Sequence, residues 1–207
     1  MLYLCSSSSA EINENISSVF GGFSTPKCGA TKLIRMGRMW GGDNGAYSGM
    51  FEEESFFKFL DKMLPYQKTN LFIACPDKIF DAKETLLLYK KYHKKIKKMG
   101  YFVALVTQDG LDTKRDYVYY DDIKIHFRDI DWLFIGGSNE HKKDMRTAAI
   151  IKNAKRFGIK IHIGRVNGRK RLNYFAKMGI DTVDGTHVNF EPKKAILDIE
   201  RWIKEIE

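Results

Sequence analysis

The sequence predicts an α/β fold, a small TIM-type (β/α)8-like barrel, and three observations support this prediction. Short apolar segments alternate with longer amphipathic segments along the chain. Most apolar segments are continuously hydrophobic, which is typical of parallel strands buried on both faces. About seven or eight such strand–helix units close most readily into a barrel. At 207 residues we expect a single domain over 1–207 with a trimmed ring of helices.

A doubly wound open sheet is the alternative architecture. The sequence contains neither GxGxxG nor GxxxxGK[ST]. A nucleotide-binding sheet of the Rossmann or P-loop type would therefore lack the loop that holds its phosphates. The barrel is accordingly the preferred fold.

Each predicted strand is a short apolar run. The runs lie at 2–5, 32–40, 70–75, 101–107, 131–137, 159–164 and 181–185. Of these, 32–40 (KLIRMGRMW) is long enough for two short strands.

Helices are predicted where amphipathic runs carry end signals. The run 52–66 begins with acidic residues, which favour a helix N-terminus. The last run, 192–207, opens with Pro192 at a favoured first helical position. Three further runs each end at a glycine and span 82–100, 140–158 and 168–179.

The composition indicates a protein that meets a polyanion. The formal net charge is +9, which favours nucleic acid as the partner, with a generic lysine-rich surface as the alternative. The three cysteines, Cys5, Cys28 and Cys75, form no metal-binding or disulfide pattern, and the histidines complete no zinc motif. We therefore expect a reducing compartment and no bound metal.

No apolar run approaches the ~18 residues that a membrane-spanning helix needs. The opening segment MLYLCSSSS has no basic residue before its short apolar run, unlike a signal peptide. We expect a soluble, cytoplasmic protein.

Polar residues follow six of the apolar runs, where a parallel barrel places its chemistry. They are Asp43–Asn44, Asp77, Gln108–Asp109, Ser138–Glu140, Arg165–Arg169 and Asp184–His187. No lysine directly follows a strand, which disfavours Schiff-base chemistry, and no metal-ligand spacing appears. Two carboxylates could instead divide the work of nucleophile and general acid/base, and Asp43 and Asp184 are the candidates.

Each candidate has a simpler explanation as well. Asp43 before Asn-Gly could form an ordinary turn. Asp184 and Asp77 could each cap a helix, and Gln108 could be a solvated loop residue. Gly136 and Gly137 could permit a tight turn, or could let a substrate ring approach the backbone closely.

A basic segment, GRVNGRKR at 164–171, lies after one predicted strand. Backbone amides and guanidinium groups at a helix start suit phosphate groups. The residues that we expect to contact a nucleic-acid backbone are Arg165, Asn167, Arg169, Lys170 and Arg171. The alternative is a solvated helix face.

Six segments together resemble the queuine/archaeosine tRNA-guanine transglycosylase superfamily. In chain order they are WGGDNGAYSG, FIACPD, ALVTQDG, WLFIGGSNEHK, IHIGRVNGRKRL and GIDTVDGT, which lie between 40 and 187. The chain looks closest to the shorter, DNA-modifying branch of phages and bacteria, which places 7-deazaguanines into DNA. If a phage encodes the chain, the expected cytoplasm is that of the host. The CxCxxC…H zinc subdomain of the tRNA enzymes is missing, which favours the DNA branch.

The resemblance implies a role for each matching residue. Asp43 in GGDNGAY matches the general acid/base of the family motif DSGG[FY]Q, although Asn44 replaces a serine and Ala46 a glycine. Asp184 in GIDTVDGT matches the family nucleophile. The residues implied to hold the base are Asp77 for its guanine edge, Gln108 for its carbonyl, and Gly136 and Gly137 through their backbone.

The activity implied is that of a DNA-guanine transglycosylase. It would be a glycosyltransferase that exchanges guanine for a 7-deazaguanine of the preQ0 or preQ1 type through a covalent aspartyl–sugar intermediate, without a cofactor. The expected partners are DNA and the free base, with tRNA as the alternative polymer, no membrane, and a homodimer compatible with the sequence. Two different functions also stay open: a TIM-barrel enzyme that acts on a small phosphorylated metabolite, and a non-catalytic nucleic-acid-binding barrel.

Overall fold

Eight parallel strands form a closed barrel within residues 1–46, 49 and 51–206, the part of the chain that the computed structural model describes. The predicted TIM-type fold is thereby confirmed. Around the barrel the strands follow the order β1-β11-β10-β9-β5-β4-β3-β2. Their bounds are β1 Leu2–Cys5, β2 Phe20–Ser24, β3 Trp40–Gly42, β4 Asn70–Ala74, β5 Val103–Thr107, β9 Trp132–Ile135, β10 Lys160–Ile163 and β11 Thr182–Asp184.

Helices cover the outside of the barrel. They are α1 Lys32–Arg35, α2 Glu53–Met63, α3 Ala82–Lys98, α4 Asn139–Lys143, α5 Met145–Lys155, α6 Arg169–Ala176, α7 His187–Phe190 and α8 Pro192–Lys204, and a 3-10 helix, Leu64–Thr69, follows α2. The Asp81 carboxylate caps α3 by accepting the backbone N–H of Glu84 at 2.9 Å. No helix in the described segments combines the length and apolar content needed to cross a membrane.

The prediction of strands over 32–40 was wrong. Lys32–Arg35 forms the short helix α1, and β3 begins at Trp40 after a turn with Gly37 at φ +78°. The helix packs on β2, because a Cβ on Gly22 would overlap the side chain of Ile34. The sequence did not predict β2, since its glycine-containing segment FGGFS carries no continuous apolar run. The remaining six predicted strands each overlap a barrel strand.

A small antiparallel sheet stands where a helix would normally follow β5. Its strands are β6 Asp112–Lys114, β7 Tyr117–Tyr120 and β8 Ile123–His126. In β8 the side chains of Ile123 and Ile125 are buried and those of Lys124 and His126 are exposed. This alternation is typical of a sheet that covers a core on one face. The predicted helix over 140–158 is also divided, since Asp144 ends α4 and caps α5.

The barrel interior is filled by a separate group of apolar side chains. This inner group comprises Leu4, Phe23, Phe72, Ala104 and Trp132. Glycines on neighbouring strands make room for it, since a Cβ on Gly41 would lie 2.7 Å from Cζ of Phe72. These apolar side chains form the floor of the space at the carboxyl ends of the strands.

Candidate active site

A cavity of about 440 Å³ lies at the carboxyl ends of the barrel strands. It brings together residues from loops far apart in the sequence, as the rim of a parallel barrel does. Eight of the predicted site residues line it: Asp43, Asp77, Gln108, Gly136, Gly137, Arg165, Asn167 and Asp184.

Strand pleating accounts for the inward direction of the two candidate catalytic acids. Side chains alternate between the faces of a strand, so positions two apart share a face. Gly41 faces the interior next to Leu4 and Phe72, and Asp43 follows it by two. Thr182 contacts the interior side chain of His162, and Asp184 in turn follows Thr182 by two. Both carboxylates therefore enter the cavity from above the apolar interior.

Three hydrogen-bond contacts hold the Asp184 carboxylate. His162 Nε2 lies 3.0 Å from Oδ1, and the backbone N–H of Arg165 lies 3.3 Å from each carboxylate oxygen. The backbone of the same residue is fixed too, because Val166 donates its N–H to the Asp184 carbonyl at 2.6 Å. The side chain therefore serves the cavity, and the helix-capping interpretation of Asp184 was wrong.

Arg165 adopts an unusual backbone conformation beside Asp184. Its φ is +62°, in the left-handed region that non-glycine residues enter at a cost of about 1–3 kcal/mol. This conformation points its N–H at the Asp184 carboxylate, while its guanidinium donates to the Gly137 carbonyl across the cavity. Such backbone strain tends to occur at functional sites.

The second acid, Asp43, is partly buried, and its pKa is raised to about 7. Loss of water around the carboxylate is the main cause, and the negative charges of Asp77 and Asp184 add to it. Backbone N–H groups of Asn44 and Gly45 partly offset the rise; the former lies 2.8 Å from Oδ1. A group with a pKa near neutrality can both donate and accept a proton at physiological pH.

Asp77 is held by two side-chain amides. Asn44 Nδ2 donates to Oδ1 at 2.7 Å, and Gln108 Nε2 donates to Oδ2 at 2.5 Å. Burial raises the pKa of Asp77, and these two hydrogen bonds oppose the rise. The capping interpretation of Asp77 was wrong, since Asp81 caps α3 instead.

Asn44 is fully enclosed, and both polar atoms of its side chain are paired. Besides Asp77, its Nδ2 donates to the carbonyl of Cys75 at 2.8 Å, and its Oδ1 accepts the N–H of Ala46 at 2.7 Å. Asn44 thereby links the loop after β3 to the loop after β4. Asn44 thus positions the Asp77 carboxylate.

Asn44→Ala is expected to destabilise the fold by about 1–3 kcal/mol, because it leaves buried polar partners without hydrogen bonds. Urea unfolding of wild type and variant measures the change. Asn15→Ala, at an exposed position, is the matched control and should change stability by less than about 0.5 kcal/mol. A loss at Asn44 no larger than at Asn15 would contradict this role.

Gln108 is buried and lies against Gly136. Its Oε1 accepts the N–H of Phe80 at 2.9 Å, so the interpretation as a solvated loop residue was wrong. A Cβ on Gly136 would come within 2.8 Å of the Thr107 carbonyl and 3.2 Å of Gln108 Nε2. Gly137 has φ +70°, which favours glycine. Protein packing and a tight turn therefore require glycine at these two positions, both of which line the cavity.

Lys142 is a cavity residue that the sequence did not predict. It is 1% exposed and donates from Nζ to the Gly164 carbonyl at 2.6 Å. Burial lowers its pKa to about 7, and the charge of Arg165 lowers it further, whereas Asp184 opposes the shift. No lysine directly follows a strand, but the short helix α4 brings Lys142 back over the rim. The absence of a lysine directly after a strand therefore gives no argument against amine chemistry.

Lys142→Met is expected to raise the free energy of unfolding by about 1–3 kcal/mol at pH 6, because a buried charge is replaced by an apolar side chain of similar length. Folding lowers the pKa of Lys142 from 10.5 to about 7, so wild-type stability falls as pH decreases from 10.5 to 7. The gain should therefore be largest below pH 7 and should shrink toward pH 10. Urea unfolding at pH 6, 8 and 10 measures it, with Lys143→Met, at an exposed position, as control. The prediction would be contradicted if Lys142→Met were no more stable than wild type, or if its gain in the free energy of unfolding did not change with pH.

A second unpredicted residue is His162, which lies inside the barrel beneath Asp184. Its ring contacts Phe23, Phe72 and Phe134 of the interior. In the run IKIHIG it looked like one position of a buried strand. The sequence signal that could have identified it is the alternation of side chains along a strand. His162 lies two residues before Gly164, so both positions share the interior face.

The predicted nucleic-acid-contacting residues separate into two groups. Asn167 lines the cavity and accepts the N–H of Thr186 at 2.7 Å, which fixes the loop beside Asp184. The cavity lining over the described residues does not include Arg169, Lys170 and Arg171. Arg169 pairs with Glu205 at 2.8 Å, and Arg171 donates to Asn139 at 2.7 Å. Lys170 is exposed, in keeping with a solvated helix face.

Comparison with known proteins adds little to this geometry. No protein-family model matches the sequence, and a search of curated proteins gives no match. A solved structure titled "PaMucR Phosphodiesterase, c-di-GMP complex" is similar to 73% of the chain, with 11% sequence identity and a TM-score of 0.41. The chain spans 60% of the length of that structure's chain. This similarity carries no argument about the activity.

Proposed function

We propose that the protein is a DNA-guanine transglycosylase that exchanges guanine in DNA for a 7-deazaguanine. The observation that carries the proposal is the meeting of two carboxylates with different surroundings in one cavity. Asp184 is held by hydrogen-bond donors, whereas the pKa of Asp43 is raised to about 7. Two acids with separate environments divide naturally into a nucleophile and a general acid/base.

The first half of the reaction breaks the bond to guanine. The target nucleotide leaves the base stack, which costs a few kcal/mol. A carboxylate oxygen of Asp184 attacks C1′ and forms an ester while the C1′–N9 bond breaks. Asp43, in its protonated form, gives its proton to the departing base.

The second half restores a C–N bond. The 7-deazaguanine takes the place of guanine, and the Asp43 carboxylate accepts its N9 proton. N9 then attacks C1′, and the ester bond to Asp184 breaks. Two inversions at C1′ give net retention, and Asp43 ends the cycle protonated as it began.

The amide–carboxylate pair beside the acids suits a guanine-like edge. In this proposal the Asp77 carboxylate accepts the N1–H and exocyclic amine of the base, and the second N–H of Gln108 Nε2 donates to its carbonyl. The cavity of about 440 Å³ lies within the range of about 300–1,000 Å³ typical of small-ligand sites. The net charge of +9 favours the approach of a nucleic acid.

A competition between DNA and tRNA tests the polymer substrate. Duplex DNA and unmodified tRNA are mixed in equal guanine amounts with isotope-labelled 7-cyano-7-deazaguanine, and nucleosides from each polymer are analysed by mass spectrometry. We expect label in DNA with wild type and none with Asp184→Asn. Label in tRNA alone would favour the tRNA alternative, and label in neither would contradict base exchange.

A second candidate function is supported by Lys142 and Arg165. The Arg165 guanidinium, together with Lys142 in its protonated form, would also suit the phosphate of a small metabolite in this cavity. If that is the substrate class, ribose 5-phosphate should raise the melting temperature of the protein and 7-cyano-7-deazaguanine should not. The opposite result favours base exchange.

A further inference from the structure

His162 sits in the barrel interior with both ring nitrogens engaged. Nε2 lies 3.0 Å from Asp184 Oδ1, and Nδ1 lies 2.8 Å from Thr182 Oγ1. The side chain is fully enclosed, with 0% of its surface exposed. These three residues form a continuous polar chain that runs from the interior to the cavity.

The surroundings of the ring fix its orientation. Phe23 stacks on it with ring centroids 5.6 Å apart, and Phe134 meets it edge-on at 4.4 Å. A polar side chain in such an apolar interior is costly unless each of its polar atoms is paired. The two hydrogen bonds meet that requirement.

The same contacts determine which nitrogen carries the proton. Burial lowers the pKa of His162, which favours the neutral ring with a single N–H. An ionised carboxylate can only accept, so the N–H is on Nε2 and donates to Asp184. Nδ1 is then the acceptor for the Thr182 hydroxyl, which holds this tautomer in place.

We propose that His162, with Thr182 behind it, is a positioning residue that orients and charge-stabilises the Asp184 carboxylate through Oδ1. The inference rests on the proposed function, in which Asp184 forms and releases a sugar ester. The Arg165 backbone N–H lies at the same distance from both carboxylate oxygens, whereas His162 bonds Oδ1. Because His162 holds Oδ1, we assign Oδ2 as the oxygen that attacks C1′.

This arrangement has a consequence for each half of the reaction. During attack, His162 keeps Oδ1 in place, so that Oδ2 faces C1′. When the ester breaks, negative charge returns to the carboxylate, and the N–H of His162 stabilises it as a leaving group. Removing the N–H should therefore slow ester breakdown and prolong the covalent adduct.

Variants of His162 test the proposal in the full-length protein. His162→Leu removes the donor and is expected to lower kcat by about 10–100-fold, the usual effect of removing a partner that orients a reacting group. KM for DNA and for the base should change by less than about threefold, because no contact to substrate is removed. His162→Gln retains an N–H at a similar distance along the side chain and should recover part of the lost kcat. The kcat of Thr182→Val should lie between those of wild type and His162→Leu.

Phe72→Leu is the matched control, since it alters packing against the same ring without removing a polar contact. In that variant the lifetime of the protein–DNA adduct should stay as in wild type, whereas in His162→Leu it should lengthen. Equal effects of Phe72→Leu and His162→Leu on kcat and on adduct lifetime would overturn the positioning role.

The hydrogen-bond arrangement can be tested apart from the reaction. Nitrogen-15 NMR of the histidine side chains should show the neutral Nε2–H tautomer for His162 in wild type, with a changed Nε2–H resonance in Asp184→Ala. A wild-type Nδ1–H tautomer would overturn the inference. If wild type shows the expected tautomer but performs no base exchange, the proposed function fails while the His162–Asp184 contact stands.

Discussion

Asp184→Asn is expected to lower base exchange by at least about 1,000-fold, because loss of a covalent nucleophile removes the step on which the reaction depends. Asparagine keeps the size of the side chain but cannot form the ester. Single-turnover incorporation of labelled 7-cyano-7-deazaguanine into an oligonucleotide with one guanine measures the effect. DNA affinity should not fall, since the charge of the protein becomes more positive.

Asp122→Asn is the control, because it makes the same chemical change at an exposed position. Its exchange rate should match that of wild type. Exchange by Asp184→Asn at the wild-type rate would remove this residue from the mechanism. DNA binding by both proteins with no exchange in wild type would indicate the non-catalytic barrel.

The two half-reactions are expected to depend on pH in opposite directions around pH 7. The cause is Asp43, whose pKa is raised to about 7 by burial and by the charges of Asp77 and Asp184. Release of guanine needs the protonated acid, so adduct formation should fall as pH rises above 7. Entry of the new base needs the carboxylate, so adduct breakdown should fall as pH decreases below 7. Asp43→Asn should slow both steps by about 10²–10⁴-fold.

Rapid mixing measures the two steps separately. Adduct formation is followed after mixing protein with DNA, and breakdown is followed after a pH jump and addition of the base. Asp77→Asn removes one negative charge beside Asp43 and should therefore move the midpoint of both pH dependences to lower pH. The same pH dependence for both steps in wild type would contradict the assignment of Asp43.

The barrel could be predicted where strands are continuously apolar, as in β4, β5, β9 and β10. It could not be predicted at β2, because both faces of that strand are crowded and need glycine. A Cβ on Gly21 would contact Leu4 in the interior, and a Cβ on Gly22 would contact Ile34 of α1 on the outside. Glycine is depleted in strands generally, so FGGFS resembles a loop. The run 32–40 was wrongly assigned to strands. A short apolar run of this kind suits a buried helix equally well, so its composition cannot separate the two.

Much of the site followed from one structural rule, that functional side chains of a parallel barrel lie at the carboxyl ends of its strands. Asp43, Asp77, Gln108 and Asp184 obey it. Lys142 does not, since it reaches the cavity from a helix whose sequence, NEHKK, looks solvent-exposed. Nothing in the local sequence distinguishes Lys142 from the lysine that follows it, because their different burial is set by packing against the loop after β10 and by the turn that ends α4.

The ester between Asp184 and C1′ is the central claim, and trapping it tests the account most directly. Wild-type protein is incubated with an oligonucleotide containing one guanine, without free base, then denatured, digested and analysed by mass spectrometry. We predict a guanine-depleted oligonucleotide attached to the peptide that contains Asp184, one free guanine per adduct, and disappearance of the adduct when 7-cyano-7-deazaguanine is added before denaturation. Incorporation of the new base with the adduct attached to another residue would contradict the claim. So would incorporation without any adduct in wild type, together with equal activity of Asp184→Asn.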